Sequence, residues 1–176
     1  MLVQDAKNLT LNPVNLSLQK HQFTYELLDD SRELPEADRE LLEQARKVTG
    51  QAYAPYSHFY VGAAARMQNG DIVKGSNQEN ASYPVGICAE RVLLGNAATL
   101  FPGMPIETLA VSYANEQDNQ DVPISPCGMC RQALLEFENR TRQPVRIILS
   151  GQKGEVIVLD TAAALLPFAF TGKELR

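Results

Sequence analysis

The sequence predicts an α/β fold: a three-layer α/β/α sandwich around one mixed five-stranded sheet, preceded by an N-terminal extension. Three observations predict it. The chain has 176 residues, one ordinary domain's worth, enough to bury roughly two thirds of its unfolded surface. A hydrophobic fraction of 44% and a charged fraction of 21% sit near globular averages and exclude fibrous or disordered classes. Segments of strand and helix character alternate in the order α, ββ, α, β, α, ββ, α, which lays helices over the faces of a single sheet.

Residues 1–34 form the extension, polar and irregular apart from an alternating patch, Phe23, Tyr25 and Leu27, that reads as a candidate edge strand. Residues 35–176 form the domain proper. Pro35 at a first helical turn leads into Ala37, Leu41, Ala45 and Val48, an apolar stripe of helical period that Gly50 stops. Strands from Phe59 to Met67 and Ile72 to Ser76 flank Asn69-Gly70, the strongest short-range hairpin signal. A helix from about Cys88 to Leu100 and a strand from Ile106 to Tyr113 follow. Ser125 as N-cap and Pro126 in the first turn open the next helix, to about Glu138. Val145 to Ser150 and Glu155 to Leu159 are β-branched runs split by Gly151-Gln152-Lys153-Gly154, and Asp160 is placed to cap a last short helix ending before Pro167.

Lys plus Arg number 16 against 21 Asp plus Glu, a net charge of −5 that argues against a chain built to grip nucleic acid. No stretch approaches the roughly 18 apolar residues of a membrane span. The first residues lack the basic and then apolar pattern of a secretion signal. The chain therefore reads as cytoplasmic, with no nucleic-acid or membrane partner, and the Asn-x-Ser/Thr triplets at Asn8, Asn15, Asn80 and Asn139 read as chance matches.

Three cysteines, an odd number, cannot all close into disulfides within the chain. Each falls at a predicted helix start: Cys88, then Cys127 and Cys130 in Pro126-Cys127-Gly128-Met129-Cys130. The i, i+3 spacing puts the last two sulfurs on one face of a first turn, where the positive end of the helix dipole favours thiolate. Two such helix ends aimed at one point hold three thiolates, a set suited to zinc, which takes sulfur at about 2.3 Å. Three protein ligands leave a tetrahedral ion one place for water, the mark of a catalytic site rather than a structural one. Each half of the pattern has a plainer reading: Cys-x-x-Cys alone fits a redox pair, and a lone cysteine packs as a small hydrophobe. Cys88-Ala89-Glu90 adds a carboxylate two residues from a ligand, in the same helical turn, able to take a proton from an activated water and return it to a leaving group. A first-turn glutamate is also what the helix dipole favours. Cys-x-Glu followed by Pro-Cys-x-x-Cys is much more specific than either half.

Cys88-Ala89-Glu90-Arg91 and Pro126-Cys127-Gly128-Met129-Cys130-Arg131-Gln132 resemble the zinc-dependent nucleoside and nucleobase deaminases. The Cys-x-Glu form, in place of the commoner His-x-Glu, is similar to the small homotetrameric cytidine deaminases. The likeness continues through Ala54-Pro55-Tyr56-Ser57-His58-Phe59, Val61-Gly62-Ala63-Ala64, Asn77-Gln78-Glu79-Asn80-Ala81, Tyr83-Pro84 and Leu165-Leu166-Pro167. It implies one zinc per subunit on Cys88, Cys127 and Cys130. The implied reaction is hydrolytic deamination of cytidine and 2′-deoxycytidine to uridine and 2′-deoxyuridine, in pyrimidine salvage. Glu90 would carry the proton of the activated water to N3 and then to departing ammonia. Arg91 would donate to the thiolate sulfurs and offset their charge.

For the nucleoside, the resemblance assigns the sugar to Asn77 and Glu79, which alternate on the strand leaving the hairpin and so share a face, with Glu79 accepting from the 3′-hydroxyl. It assigns base stacking to Phe59 and to Phe170, the latter reaching in from a neighbouring subunit of a homotetramer. Tyr83 matches a further pocket position, and the Ala89 N–H would donate to the pyrimidine carbonyl. A phenylalanine is otherwise ordinary core, and an exposed glutamate ordinary surface. His58 precedes a strand and takes no metal role. The other readings are a deaminase of a different amino-heterocycle, such as blasticidin S, and a non-catalytic zinc-stabilised binding module. The extension before Pro35 has no counterpart in the minimal enzymes of the family.

Overall fold

The computed structural model describes residues 17–116 and 120–175. The elements are β1 (Glu26–Leu28), α1 (Glu36–Val48), β2 (Phe59–Met67), β3 (Ile72–Ser76), α2 (Ala89–Leu100), β4 (Ile106–Asn115), α3 (Gly128–Thr141), β5 (Arg146–Ser150) and β6 (Val156–Leu159), with short 3-10 turns between. The strands form one six-stranded sheet in the order β1-β6-β5-β4-β2-β3. The expected count was five. The sixth strand is β1, three residues that pair antiparallel with the outer edge of β6, Glu26 opposite Val158 and Leu28 opposite Val156. The alternating patch thus becomes strand only at its C-terminal end. Residues 1–16 of the expected extension, with Asn8 and Asn15, lie outside the described residues.

The hairpin β2–β3 turns where Asn69-Gly70 requires it, Gly70 taking a φ of +89° that a side chain would oppose. All neighbouring pairs are antiparallel except β4 with β5. A parallel pair needs a crossover, and α3 supplies it. Period-two alternation sorts the side chains into two cores. Ala63, Ala65, Met67, Leu109, Val111, Ile147 and Leu149 face α2 and α3; Ala64, Ala110, Ile148 and Val158 face α1 with Leu41, Leu42 and Ala45. The three-layer α/β/α sandwich follows from that division.

Several element ends differ from the sequence expectation, three of them for a visible reason. Helix α3 begins at Gly128 with Cys127 as its N-cap, so Ser125-Pro126 is extended chain before the helix. The last 3-10 turn, Ala162–Leu165, is capped by Thr161, whose hydroxyl accepts from the Ala163 N–H; Asp160 is not its cap. Strand β4 continues to Asn115, past Tyr113, because Phe59 and Tyr60 at the start of β2 pair with Asn115 and Ala114.

Two glycines set how closely helices sit on the sheet. A Cβ on Gly62 would lie 2.2 Å from the Ala45 carbonyl oxygen of α1. A Cβ on Gly75 would lie 2.4 Å from the Ala89 carbonyl oxygen and 2.5 Å from the Leu93 nitrogen, both backbone atoms of α2. The first turn of α2, which carries the Cys-Ala-Glu motif, therefore rests directly on the backbone of β3.

Candidate metal centre

Cys88 is the N-cap of α2 and Cys127 the N-cap of α3, and neither side chain bonds its own helix end. That frees both sulfurs to face outward from two adjacent helix N-termini. Cys130 follows one turn into α3 and is buried. The three Sγ atoms lie within 4.8 Å of one another, with Cys88 to Cys127 at 3.7 Å and Cys127 to Cys130 at 3.5 Å. A tetrahedral ion with sulfurs at 2.3 Å holds them about 3.8 Å apart, so the donor set fits zinc in both softness and spacing. Close sulfur–sulfur contacts link the three thiols. Cys88 is pulled down to about 6, first by its bond from Cys130 and further by the Arg91 charge, against burial and the nearby Glu90. Cys130 is pushed far up, because its proton holds the Cys88 thiolate and because it is desolvated. Three thiolates at this separation need a cation between them.

Glu90 stands two residues from a ligand, 4% exposed, and burial raises its carboxyl above the usual range. Cys88, Cys127 and Glu90 line a cavity of about 500 Å³ with Phe59, Asn77, Glu79 and Tyr83. The structure thus brings together most of the residues singled out from the sequence. Phe59 stacks on Tyr113 at 5.0 Å between ring centroids and lines the cavity. Tyr83 is largely exposed and meets Tyr56 edge-on at 6.1 Å. Glu79 accepts from the Tyr56 N–H at 2.9 Å, the Ser57 N–H at 3.3 Å and the Ser57 hydroxyl at 2.5 Å. These donors, the hydroxyl foremost, hold its carboxyl below the usual range.

Asn77 is committed differently from Glu79. Its Oδ1 accepts from the Val61 N–H at 2.7 Å and its Nδ2 donates to the Phe59 carbonyl at 2.9 Å, so the amide braces the start of β2 beside the cavity. Ala89 is the first residue of α2; its N–H has no acceptor within the helix, and its methyl is fully buried. Phe170 is 59% exposed and outside the cavity lining; its carbonyl accepts from Gln132 at 2.9 Å.

Sequence reasoning passed over several residues of this site. Ile87, Ile124 and Met129 supply apolar wall. Arg131 donates from Nε to the Pro126 carbonyl at 2.7 Å and from Nη1 to the Leu165 carbonyl at 3.2 Å, pinning the extended chain ahead of Cys127. Its place directly after the third metal cysteine was the signal available.

The family model for the cytidine and deoxycytidylate deaminase zinc-binding region matches residues 35–144. A cytidine deaminase of Sporosarcina psychrophila is 39% identical over 136 residues, covering 77% of this chain and 92% of that protein. The chain belongs to the cytidine deaminase family. Among solved structures, the family fold recurs in the cytidine deaminase of Burkholderia pseudomallei, with a TM-score of 0.65 and 38% identity over 74% of this chain and 97% of that one. Within the wider deaminase relatives, blasticidin-S deaminase of Bacillus cereus is 29% identical over 140 residues, 78% of this chain and 95% of that protein. The family's zinc-binding region contains all three cysteines and Glu90.

Proposed function

We propose that this cytidine deaminase family member hydrolyses cytidine and 2′-deoxycytidine to uridine and 2′-deoxyuridine with release of ammonia, as a cytoplasmic homotetramer serving pyrimidine salvage. The observation that carries the reading is the buried Glu90 carboxyl in one cavity with thiols from two helix N-termini. Zinc, when bound by Cys88, Cys127 and Cys130, supplies the Lewis acidity that makes water a nucleophile at neutral pH.

The chain's own residues do the rest. Glu90 takes one proton of the attacking water at a carboxylate oxygen and gives it to N3 of the ring; it then takes the remaining hydroxyl proton of the adduct, as the carbonyl forms, and gives it to the amino nitrogen, which leaves as ammonia. Burial raises its carboxyl above the usual range and so strengthens its hold on that proton. Arg91 offsets the thiolate charge, a role supported by its pull on Cys88. Phe59, backed by Tyr113, offers a face to the base, and the Ala89 N–H a donor to the ring carbonyl. Glu79 accepts from the sugar, and Asn77 supports the same wall. Tyr83 stands at the mouth. Phe170 belongs to this scheme as a residue lent to a neighbouring subunit, which fits its exposure.

The test is zinc content by elemental analysis beside the fall in ultraviolet absorbance of cytidine, 2′-deoxycytidine and blasticidin S. Stoichiometric zinc with turnover of blasticidin S alone would replace the substrate; stoichiometric zinc with no turnover of any would make the chain a zinc-stabilised binding module. Light scattering tests the tetramer.

A further inference from the structure

The segment 54–59 between α1 and β2 is folded around a single carboxylate. Its turn closes on a bond from the His58 N–H to the Ala54 carbonyl at 3.0 Å, and His58 sits at a φ of +54°, in the left-handed region few side-chain-bearing residues adopt. The centre of the turn is Ser57. Its hydroxyl donates to Glu79 Oε1 at 2.5 Å and accepts from the Phe59 N–H at 3.1 Å. Its own N–H and that of Tyr56 converge on Glu79 Oε2. Phe59 opens β2 and Glu79 stands beyond the end of β3, both on the same cavity.

We propose that Ser57 is a positioning residue for sugar recognition: its hydroxyl orients the Glu79 carboxylate and, through Phe59, ties the sugar end of the cavity to the base end. The inference rests on the reading of Glu79 as the sugar's acceptor. A carboxylate offers about four acceptor positions, and the turn occupies three of them. One remains, enough for one substrate hydroxyl, and the Ser57 hydroxyl sets where it points. Ionisation of Glu79 is secured by the same donors, so the group meets the sugar as a pure acceptor. Losing the Ser57 hydroxyl leaves two backbone donors on Oε2 and lets the carboxylate swing about them.

The experiment compares wild type, Ser57→Ala, Ser57→Thr and Glu79→Gln on cytidine and on 3′-deoxycytidine, with zinc content and circular dichroism checked for each. Ser57→Ala is expected to lose about tenfold in kcat/KM on cytidine, carried by KM, and less than about twofold on 3′-deoxycytidine, which has no hydroxyl left to orient. Ser57→Thr, which keeps the hydroxyl, is expected within about threefold of wild type on both. Equal losses of Ser57→Ala on the two nucleosides, while Glu79→Gln still separates them, would overturn the proposal and leave Ser57 a structural turn residue. Equal losses of Glu79→Gln on both would overturn the sugar reading of Glu79, and the proposal with it.

Discussion

Replacing Gly75 with alanine tests whether the contact between β3 and α2 positions the metal ligands. The added Cβ would stand 2.4 Å from the Ala89 carbonyl oxygen and 2.5 Å from the Leu93 nitrogen, where ordinary contacts begin at 3.4 Å. Neither neighbour is a flexible side-chain tip, so α2 must recede by about 1 Å. Overpacking of this kind costs about 1–3 kcal/mol, and backbone on both sides puts this case at the upper end. At about 2–4 °C per kcal/mol for a chain of this size, the melting temperature falls by about 6–12 °C. Cys88 moves with the helix it caps. Zinc–ligand distances tolerate only about 0.2 Å, so purified Gly75→Ala should hold less than one zinc per chain. Gly95, exposed on the same helix with nothing within 4 Å of its missing Cβ, is the control: Gly95→Ala should keep zinc and gain about 0.5–1 kcal/mol. Gly75→Ala with full zinc and an unchanged melting temperature would refute the reasoning.

Glu90→Gln keeps the size and burial of the side chain and removes its proton chemistry; zinc content should hold while kcat for cytidine falls by about 10²-fold or more. A near-normal rate in that variant would remove Glu90 from the mechanism. For pH, Glu79 is held below the usual carboxylate range chiefly by Ser57, so its ionised form persists as pH falls. Removing that donor raises the pKa, so the rise in KM on acidification should begin at a higher pH in Ser57→Ala than in wild type, each rate being normalised to bound zinc. Asp38, 5% exposed, bonds Arg66 at 2.8 Å and also Arg146, both only partly exposed. Asp38→Ala leaves two guanidinium groups without that partner and should cost about 2 kcal/mol, discounted for their remaining exposure, as read by denaturant unfolding.

What was legible in the sequence was whatever local chemistry enforces. The ends of β2 and β3 follow from Asn69-Gly70 and its hairpin, and the stripe of α1 from apolar spacing alone. The three-thiol cluster was legible because two helix starts can meet only where the sheet delivers them, and the compound motif carried that geometry. The misses lie where a tertiary contact outvotes local preference. Ser125-Pro126 has the chemistry of a helix start, yet Arg131 holds the Pro126 carbonyl and the helix waits for Cys127. Asp160 precedes Thr161 as a capping candidate, and only the fold shows which of the two reaches the Ala163 N–H. The Asn77 amide turning to the β2 backbone leaves no trace in a pattern of alternation.

The pairing of β1 with β6 bears on the order in which the chain folds. Glu26 finds its partner in Val158, near the other end of the chain, while the hairpin partners Gly62 and Ser76 are synthesised almost together. During translation the hairpin, α2 and β4 can assemble early, but the first strand of the sheet waits for its last. Closing so large a loop comes late, and β1 has only three residues with which to hold it. The strand made first is therefore the one expected to dock last and to open first, at the opposite side of the sheet from β3, on which the helix bearing Cys88 and Glu90 rests.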